Sequence, residues 1–263
     1  MKDTTRRALN ALNRAFYEAR GADFDASRDH PWPGWTRALA SLAHAAPPRD
    51  AAAPTRRVLD LGCGNGRFGA FLMHRDAVPT RYLGLDASGA LLESARKTLR
   101  AAPPHFDVEL HELDFLDGDG PEALPGGPFD LIAVFGVLHH VPGEDMRRRL
   151  VMALAERLAP NGGLVLTAWQ FGGRERFERS LLSDAFVHES SVEWGFDAAD
   201  LERGDRFLGF GGDASVPRYC HHIDEEELAR LTEGLGLSLV DAYTADGKSD
   251  DLNAYRVFTK PSS

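Results

Sequence analysis

Val58-Leu59-Asp60-Leu61-Gly62-Cys63-Gly64-Asn65-Gly66 is the stretch that decides the fold. Apolar residues run into three glycines at alternate positions, and residues 67–74 then take up a helical pattern. A strand that ends in glycines and restarts as a helix lets the backbone pass close beneath a ligand, with the helix N-terminus facing it. Dinucleotide-binding loops space their glycines as Gly-x-Gly-x-x-Gly, and this loop does not. Outward from it, strand-like and helix-like segments alternate. Residues 82–85 read as a strand ending at Asp86, 89–100 as an amphipathic helix, and 107–113 as a third strand. Residues 130–135 form a fourth, whose unbroken Leu-Ile-Ala-Val-Phe suits a strand covered on both faces. Residues 144–158 read as a helix closed by Pro160-Asn161-Gly162-Gly163, and 164–168 as a fifth strand. Such alternation predicts an α/β fold, a parallel sheet with helices on both faces.

Composition narrows the classes of function. The chain has 263 residues, 43% of them hydrophobic, enough for one large globular unit with a sizeable core. Forty acidic side chains against 30 basic ones give a formal charge of -10, which argues against gripping DNA or RNA by bulk electrostatics. Two cysteines, Cys63 and Cys220, make no disulfide framework and suit a reducing compartment. No apolar segment follows the N-terminal charges, and the longest apolar runs are too short to span a bilayer, so a cytoplasmic protein without membrane contact is expected. Only four basic residues are lysines, so arginine runs carry little information; Arg147-Arg148-Arg149 is expected to be the solvated face of its helix. The segmentation reads as an N-terminal helical extension or lid (1–50), a core (51–169), an insertion without clean periodicity on the substrate side (170–222), and a C-terminal helix with a strand pair (223–263).

The pattern Asp-x-Gly-x-Gly-x-Gly, here Asp60, Gly62, Gly64 and Gly66, resembles the loop of class I S-adenosylmethionine-dependent methyltransferases. The resemblance implies S-adenosylmethionine as cofactor. It also implies a Rossmann-like, seven-stranded, mostly parallel sheet with an antiparallel C-terminal strand, for which residues 255–260 are the candidate. The glycine spacing and this strand pair both oppose a nicotinamide cofactor. Asp86 falls where a carboxylate accepts both ribose hydroxyls. Asp114 matches the family position beside the adenine amine, with Phe115 against the ring, and Phe135 joins the expected donor-binding set.

After the fourth strand comes Phe135-Gly136-Val137-Leu138-His139-His140-Val141-Pro142. It lacks the Asp/Asn-Pro-Pro-Tyr that methyltransferases of base amino groups carry. His139 is expected to point toward the donor as orienter or base, or else to pack in the core. His140 is expected to pack or cap. Methyl transfer is an in-line displacement in which alignment and a dry pocket supply roughly 7–11 kcal/mol. A carboxylate acceptor is already ionised and needs a guanidinium to hold it rather than a base. Two arginines stand in unusual contexts: Arg28 in Asp23-Phe24-Asp25-Ala26-Ser27-Arg28-Asp29-His30-Pro31-Trp32-Pro33-Gly34-Trp35, and Arg218 in Pro217-Arg218-Tyr219-Cys220-His221-His222.

Both contexts resemble segments of the tRNA wobble-uridine methyltransferase family, which acts on the carboxylate of 5-carboxymethyluridine; Cys220 stands where that family has a second Tyr. By this similarity Arg28 and Trp32 close over the donor, Arg218 and His221 approach the acceptor, and Trp35 packs. tRNA is then the implied partner, engaged through an activator subunit. Cys220, His221, His222 and His139 fit no zinc spacing, and no metal is expected. Residues 184–251 hold 17 acidic and five basic side chains, which would repel an anticodon stem unless they face away. O-methylation of a carboxylate on a tRNA wobble-uridine-type substrate is the first expectation, O-methylation of a small carboxylate or hydroxyl metabolite is therefore the alternative, and a non-catalytic donor-binding scaffold ranks last because the glycines and Asp86 are intact.

Overall fold

The computed structural model describes residues 1–26, 30–45, 55–118, 120–210 and 213–262. The glycine-loop strand is β1 (Arg56–Leu61), flanked on either side by β2 (Thr80–Asp86) and β4 (Phe129–Val134), both parallel to it. Beyond β2 lies β3 (Phe106–Glu112), and beyond β4 lies β5 (Leu158–Trp169). Two C-terminal strands, β8 (Ser238–Ala245) and β9 (Asn253–Thr259), complete a seven-stranded sheet of order β3-β2-β1-β4-β5-β9-β8. β9 is inserted antiparallel between β5 and β8, so the expected Rossmann-like arrangement with a reversed C-terminal strand is present.

Strand residues point to opposite faces in turn, and both faces of this sheet are buried. One face collects Leu59, Leu61, Ile132, Val134, Leu164 and Leu166 under α5 (Glu144–Glu156) and α8 (Glu225–Thr232). The other collects Val58, Leu131, Ala133, Val165 and Val257 with Phe68 and Leu72 of α3 (Arg67–Arg75) and Trp35 and Ala38 of α2 (Pro33–Ala45). Burial of each large aliphatic side chain contributes about 1.5–3 kcal/mol, which explains why β4 needs no polar residue between Leu131 and Val134.

α2 is fixed at its first turn by a buried carboxylate. Asp246, after β8, accepts the Gly34 N–H at 2.9 Å and the Tyr255 hydroxyl at 2.6 Å, while the Tyr243 hydroxyl donates to the Gly34 carbonyl at 2.6 Å. Gly34 packs so closely that a Cβ there would lie 2.4 Å from the Tyr255 ring. This clamp sets the place of Trp32 and Trp35.

Three expectations need correction. Residues 160–163 do not merely close α5: they lie within β5, where Asn161 adopts φ 63° and pairs with Lys260 beyond β9. The stretch 170–222 contains a regular antiparallel pair, β6 (Asp205–Phe210) and β7 (Asp213–His221), beside short helices α6 (Glu175–Glu178) and α7 (Asp184–Ser190). Its apolar residues Phe207 and Tyr219 pack with Leu9 of α1 (Asp3–Ala26) rather than on the main sheet. Arg147 is fully buried rather than solvated, for reasons given below.

Candidate active site

All three loop glycines adopt positive φ, at 71°, 55° and 79° for Gly62, Gly64 and Gly66. The turn folds back on β2: the Gly62 and Cys63 N–H groups both donate to the Leu85 carbonyl at 2.8 and 2.9 Å. Gly62 has no room for a side chain, since a Cβ would lie 2.3 Å from the Val137 methyl. At Gly64 the same construction meets nothing within 4 Å, because this glycine faces an open cleft.

Asp86 ends β2 opposite the loop. One carboxylate oxygen accepts the Gly64 N–H at 2.8 Å, and the other accepts the Ser88 N–H at 2.9 Å. Burial pushes its pKa up, and these amide bonds only partly offset that. Asp60, behind the loop, is pushed up to about 7 by burial, against the opposing hydrogen bond of the Tyr82 hydroxyl at 2.5 Å; the nearby Asp86 charge pushes the same way as burial. The cleft wall continues through Phe135 and Trp35, with Leu113, Asp114 and Phe115 at the end nearer β3. α1 covers it with Asn10, Asn13, Arg14 and Tyr17. Asp114 is held from this side, accepting from the Asn10 amide at 2.8 Å with Arg14 3.6 Å away.

A second cleft lies beside the first, and Trp32 and Gly136 belong to both. Gly136 turns the chain after β4 at φ 72°, its N–H held by the buried Thr167 hydroxyl at 3.0 Å. A Cβ at Gly136 would stand 3.5 Å from the Trp32 ring and 3.9 Å from His139, so this residue lies at the passage between the clefts. His139, Trp169, Phe177, Arg176 and Arg218 line the second cleft, and no carboxylate lines it among the described residues. Arg218 is only 7% exposed, its guanidinium lying 5.1 Å from the Phe16 ring centre and 5.2 Å from that of Trp169. His139 is buried against Trp169 at 5.1 Å. His140 faces the first cleft instead, between α1 and β7. Its Nδ1–H donates to the Tyr219 carbonyl at 3.1 Å, and its Nε2 is hydrogen-bonded to the Tyr17 hydroxyl at 2.8 Å.

Of the residues singled out in the sequence, Asp60, Gly62, Gly64, Asp86, Asp114, Phe115, Phe135 and Trp32 meet at the first cleft, and His139 and Arg218 at the second. Gly66 lies just behind the loop, packed on Ala95, and lines neither cleft. Arg28 is outside the described residues. His221 departs from expectation: it lines neither cleft and belongs to a buried charge cluster. There Arg147 donates to Glu202 at 2.6 Å, to Glu227 at 2.7 Å and to the Val141 carbonyl at 2.8 Å. His221 bonds Asp205 through Nδ1 at 2.6 Å and Glu227 through Nε2 at 2.8 Å. Burial disfavours the imidazolium, yet these two carboxylates outweigh it and the His221 pKa is raised. The cluster ties α5 and α8 to the β6–β7 pair that carries Arg218. An arginine with two carboxylates and a carbonyl has its donors satisfied, which is what permits full burial of Arg147.

The sequence reading missed the contribution of α1. Its signal was present as a polar stripe, Asn10, Asn13/Arg14 and Tyr17, at helical spacing beside the buried Leu9 and Phe16. It also missed Arg176 and Phe177.

The sheet order, the reversed β9 and a glycine loop facing an acid on the next strand define the methyltransferase class of Rossmann-like folds. A family model described as a methyltransferase domain matches residues 59–164. A trans-aconitate 2-methyltransferase of Streptomyces avermitilis is 34% identical over 206 residues, covering 72% of this chain and 69% of that protein. A probable tRNA methyltransferase 9B of Mus musculus is 31% identical over 172 residues, covering 62% of this chain; the chain spans only 34% of that relative's length. The crystal structure of 1,6-didemethyltoxoflavin-N1-methyltransferase of Burkholderia thailandensis superposes with a TM-score of 0.60 at 16% identity, covering 97% of this chain and 90% of that one. This chain belongs to the class I S-adenosylmethionine-dependent methyltransferases.

The first cleft fits the family's cofactor by its own chemistry. Gly64 leaves bare backbone where a ligand must pass closely, Asp86 offers a carboxylate acceptor, and aromatic rings line the wall. None of the described helices is long and apolar enough to cross a membrane.

Proposed function

We propose that the chain transfers a methyl group from S-adenosylmethionine to a carboxylate of a small molecule held at Arg218. The observation that carries this reading is the second cleft. In a chain of net charge -10 it is lined by two arginines and no described carboxylate, and it adjoins the donor cleft at Gly136 and Trp32. The cofactor supplies an electrophilic methyl on a sulfonium. Asp86 would accept the ribose hydroxyls, the loop from Gly62 to Gly66 would support the amino-acid part, and Asp114 and Phe115 would face the base. Arg218 would hold the acceptor carboxylate through its planar fork, and its buried aromatic surroundings strengthen that attraction by excluding water. No proton need be removed from an ionised carboxylate, so His139 would orient and pack rather than act as a base. The trans-aconitate relative, of which the chain covers 69%, supports a small acid as acceptor.

A carboxylate borne by a tRNA wobble nucleoside is the second reading, favoured by the likeness to tRNA methyltransferase 9B. The 17 acidic against five basic residues of 184–251 speak against it. Incubation with methyl-labelled donor, in parallel with total tRNA lacking the modification and with a metabolite extract, tests the choice. Base-labile label in the small-acid fraction supports the proposal; label in RNA nucleosides, with binding that weakens steeply in salt, replaces it by the second reading.

A further inference from the structure

We propose that Arg176 is a second anion anchor at the same cleft, so that the acceptor is a polyanion with two carboxylates joined by a flat or apolar spacer. The proposal deepens the carboxylate reading and rests on it.

Arg176 lies on α6 and lines the second cleft, exposed where Arg218 is buried. Some exposed arginines are paired, Arg37 with Asp241, Arg149 with Glu122, Arg179 with Glu175 and Arg230 with Glu144, while Arg7, Arg75, Arg100, Arg203 and Arg206 make no ion pair among the described residues, so it is its place on the cleft that sets Arg176 apart. Arg176 makes no ion pair among the described residues, although Glu175 and Glu178 flank it on its own helix. Its guanidinium instead lies 4.8 Å from the Phe177 ring centre. From there the aromatic surface is continuous, since Phe177 meets Trp169 edge-on at 4.8 Å and Trp169 meets the Arg218 guanidinium at 5.2 Å. Two cations therefore border the same two-ring surface, linked through three contacts of about 5 Å each. An acceptor lying along it would place one carboxylate at Arg218, beside the passage to the donor, and the other at Arg176. The rings between them offer no hydrogen-bond partner apart from the Trp169 indole N–H, so they suit an unsaturated or hydrocarbon spacer better than a hydroxylated one.

The test uses the full-length protein with S-adenosylmethionine and a panel of dicarboxylates with spacers of increasing length, each paired with its monoamide, which keeps the shape and removes one charge. At least one diacid should be methylated about tenfold more efficiently in kcat/KM than its monoamide, the scale of one charge-assisted contact. In Arg176→Gln that ratio should collapse toward one through a rise in KM for the diacid, and Arg176→Lys should restore much of it. S-adenosylhomocysteine affinity reports whether the variants keep the donor site. Monoamides turned over as well as their diacids, or a ratio that survives Arg176→Gln, would overturn this proposal and leave the carboxylate reading standing. Failure of the enzyme to methylate any carboxylate of the panel or of an extract, while it binds donor, would overturn both.

Discussion

Alanine at Gly64 separates the cost of a backbone conformation from the cost of blocking a ligand. Both Gly64 and Gly62 hold positive φ, and a side chain in that region costs about 1–2 kcal/mol. At Gly64 nothing else opposes a methyl group, because no atom lies within 4 Å of the position it would take. The folded protein should therefore lose about 1–2 kcal/mol, a fall in Tm of a few degrees for a chain of this size. At Gly62 the new Cβ would meet the Val137 methyl at 2.3 Å, adding overpacking of about 1–3 kcal/mol. Gly62→Ala should thus be clearly the less stable of the two. Binding should rank the other way. The Gly64 methyl projects into the first cleft, and if the donor passes there the same overpacking of about 1–3 kcal/mol falls on the complex, weakening it roughly five- to hundredfold. Thermal unfolding and calorimetric titration with S-adenosylhomocysteine measure the two quantities on the same samples. A folded Gly64→Ala protein that binds the ligand as tightly as the wild type would refute the claim that bare backbone lies beneath the donor.

Three other outcomes follow from the site. Asp60 takes up a proton near pH 7 because burial disfavours its charge, so it ionises as pH rises through that value; a ligand carrying a sulfonium and an ammonium should bind more tightly at pH 8 than at pH 6, and an Asp60→Asn protein should lose this dependence. A flat affinity profile in the wild type would remove Asp60 from the donor site. Arg218→Lys should lower turnover by about tenfold or more while donor affinity holds, because an ammonium lacks the planar fork; equal losses in both would place Arg218 outside the acceptor site. The raised pKa of His221 means that the stability it contributes is complete below its unfolded value of about 6.5 and is lost as pH climbs through the higher folded value. Urea unfolding of wild type and His221→Gln across pH 6 to 9 should show the gap between them narrowing as pH rises, and a constant gap would mean that the imidazolium is not what binds Asp205 and Glu227.

What the sequence disclosed and what it hid differ by the range of the interaction involved. The glycine loop is a local statement: alternate glycines after an apolar run mark backbone that needs positive φ, and β1, α3 and the cleft beside them follow. The double-faced burial of β4 was equally legible, since an unbroken apolar run has no polar face to show to water. An arginine run suggests a solvated Arg147, but its burial is set by Glu202 and Glu227, which stand 55 and 80 positions away and are brought together only by the fold. The likeness of the 217–222 segment to the wobble-uridine family implies His221 at the acceptor, yet His221 is held in the buried cluster by Asp205 on the paired strand β6. The β6–β7 pair has no regular spacing relative to the other strands to announce it, because it is no part of the main sheet and is buried between α1 on one side and Trp169 and Phe171, at and just after the end of β5, on the other. Arg176 stands in an unremarkable charged stretch, and only its place on a cleft lined by no carboxylate among the described residues distinguishes it.

Under the proposed function the donor lies across the carboxyl ends of β1 and β2 with its sugar on Asp86 and its sulfur toward Gly136. A crystal structure of the protein grown with S-adenosylhomocysteine examines it without intermediaries. Both ribose hydroxyls should lie within hydrogen-bond distance of the Asp86 carboxylate, and the thioether should lie beside Gly136, which the Arg218 cleft shares. Density for the ligand anywhere else, or its ribose turned from Asp86 at full occupancy, contradicts it.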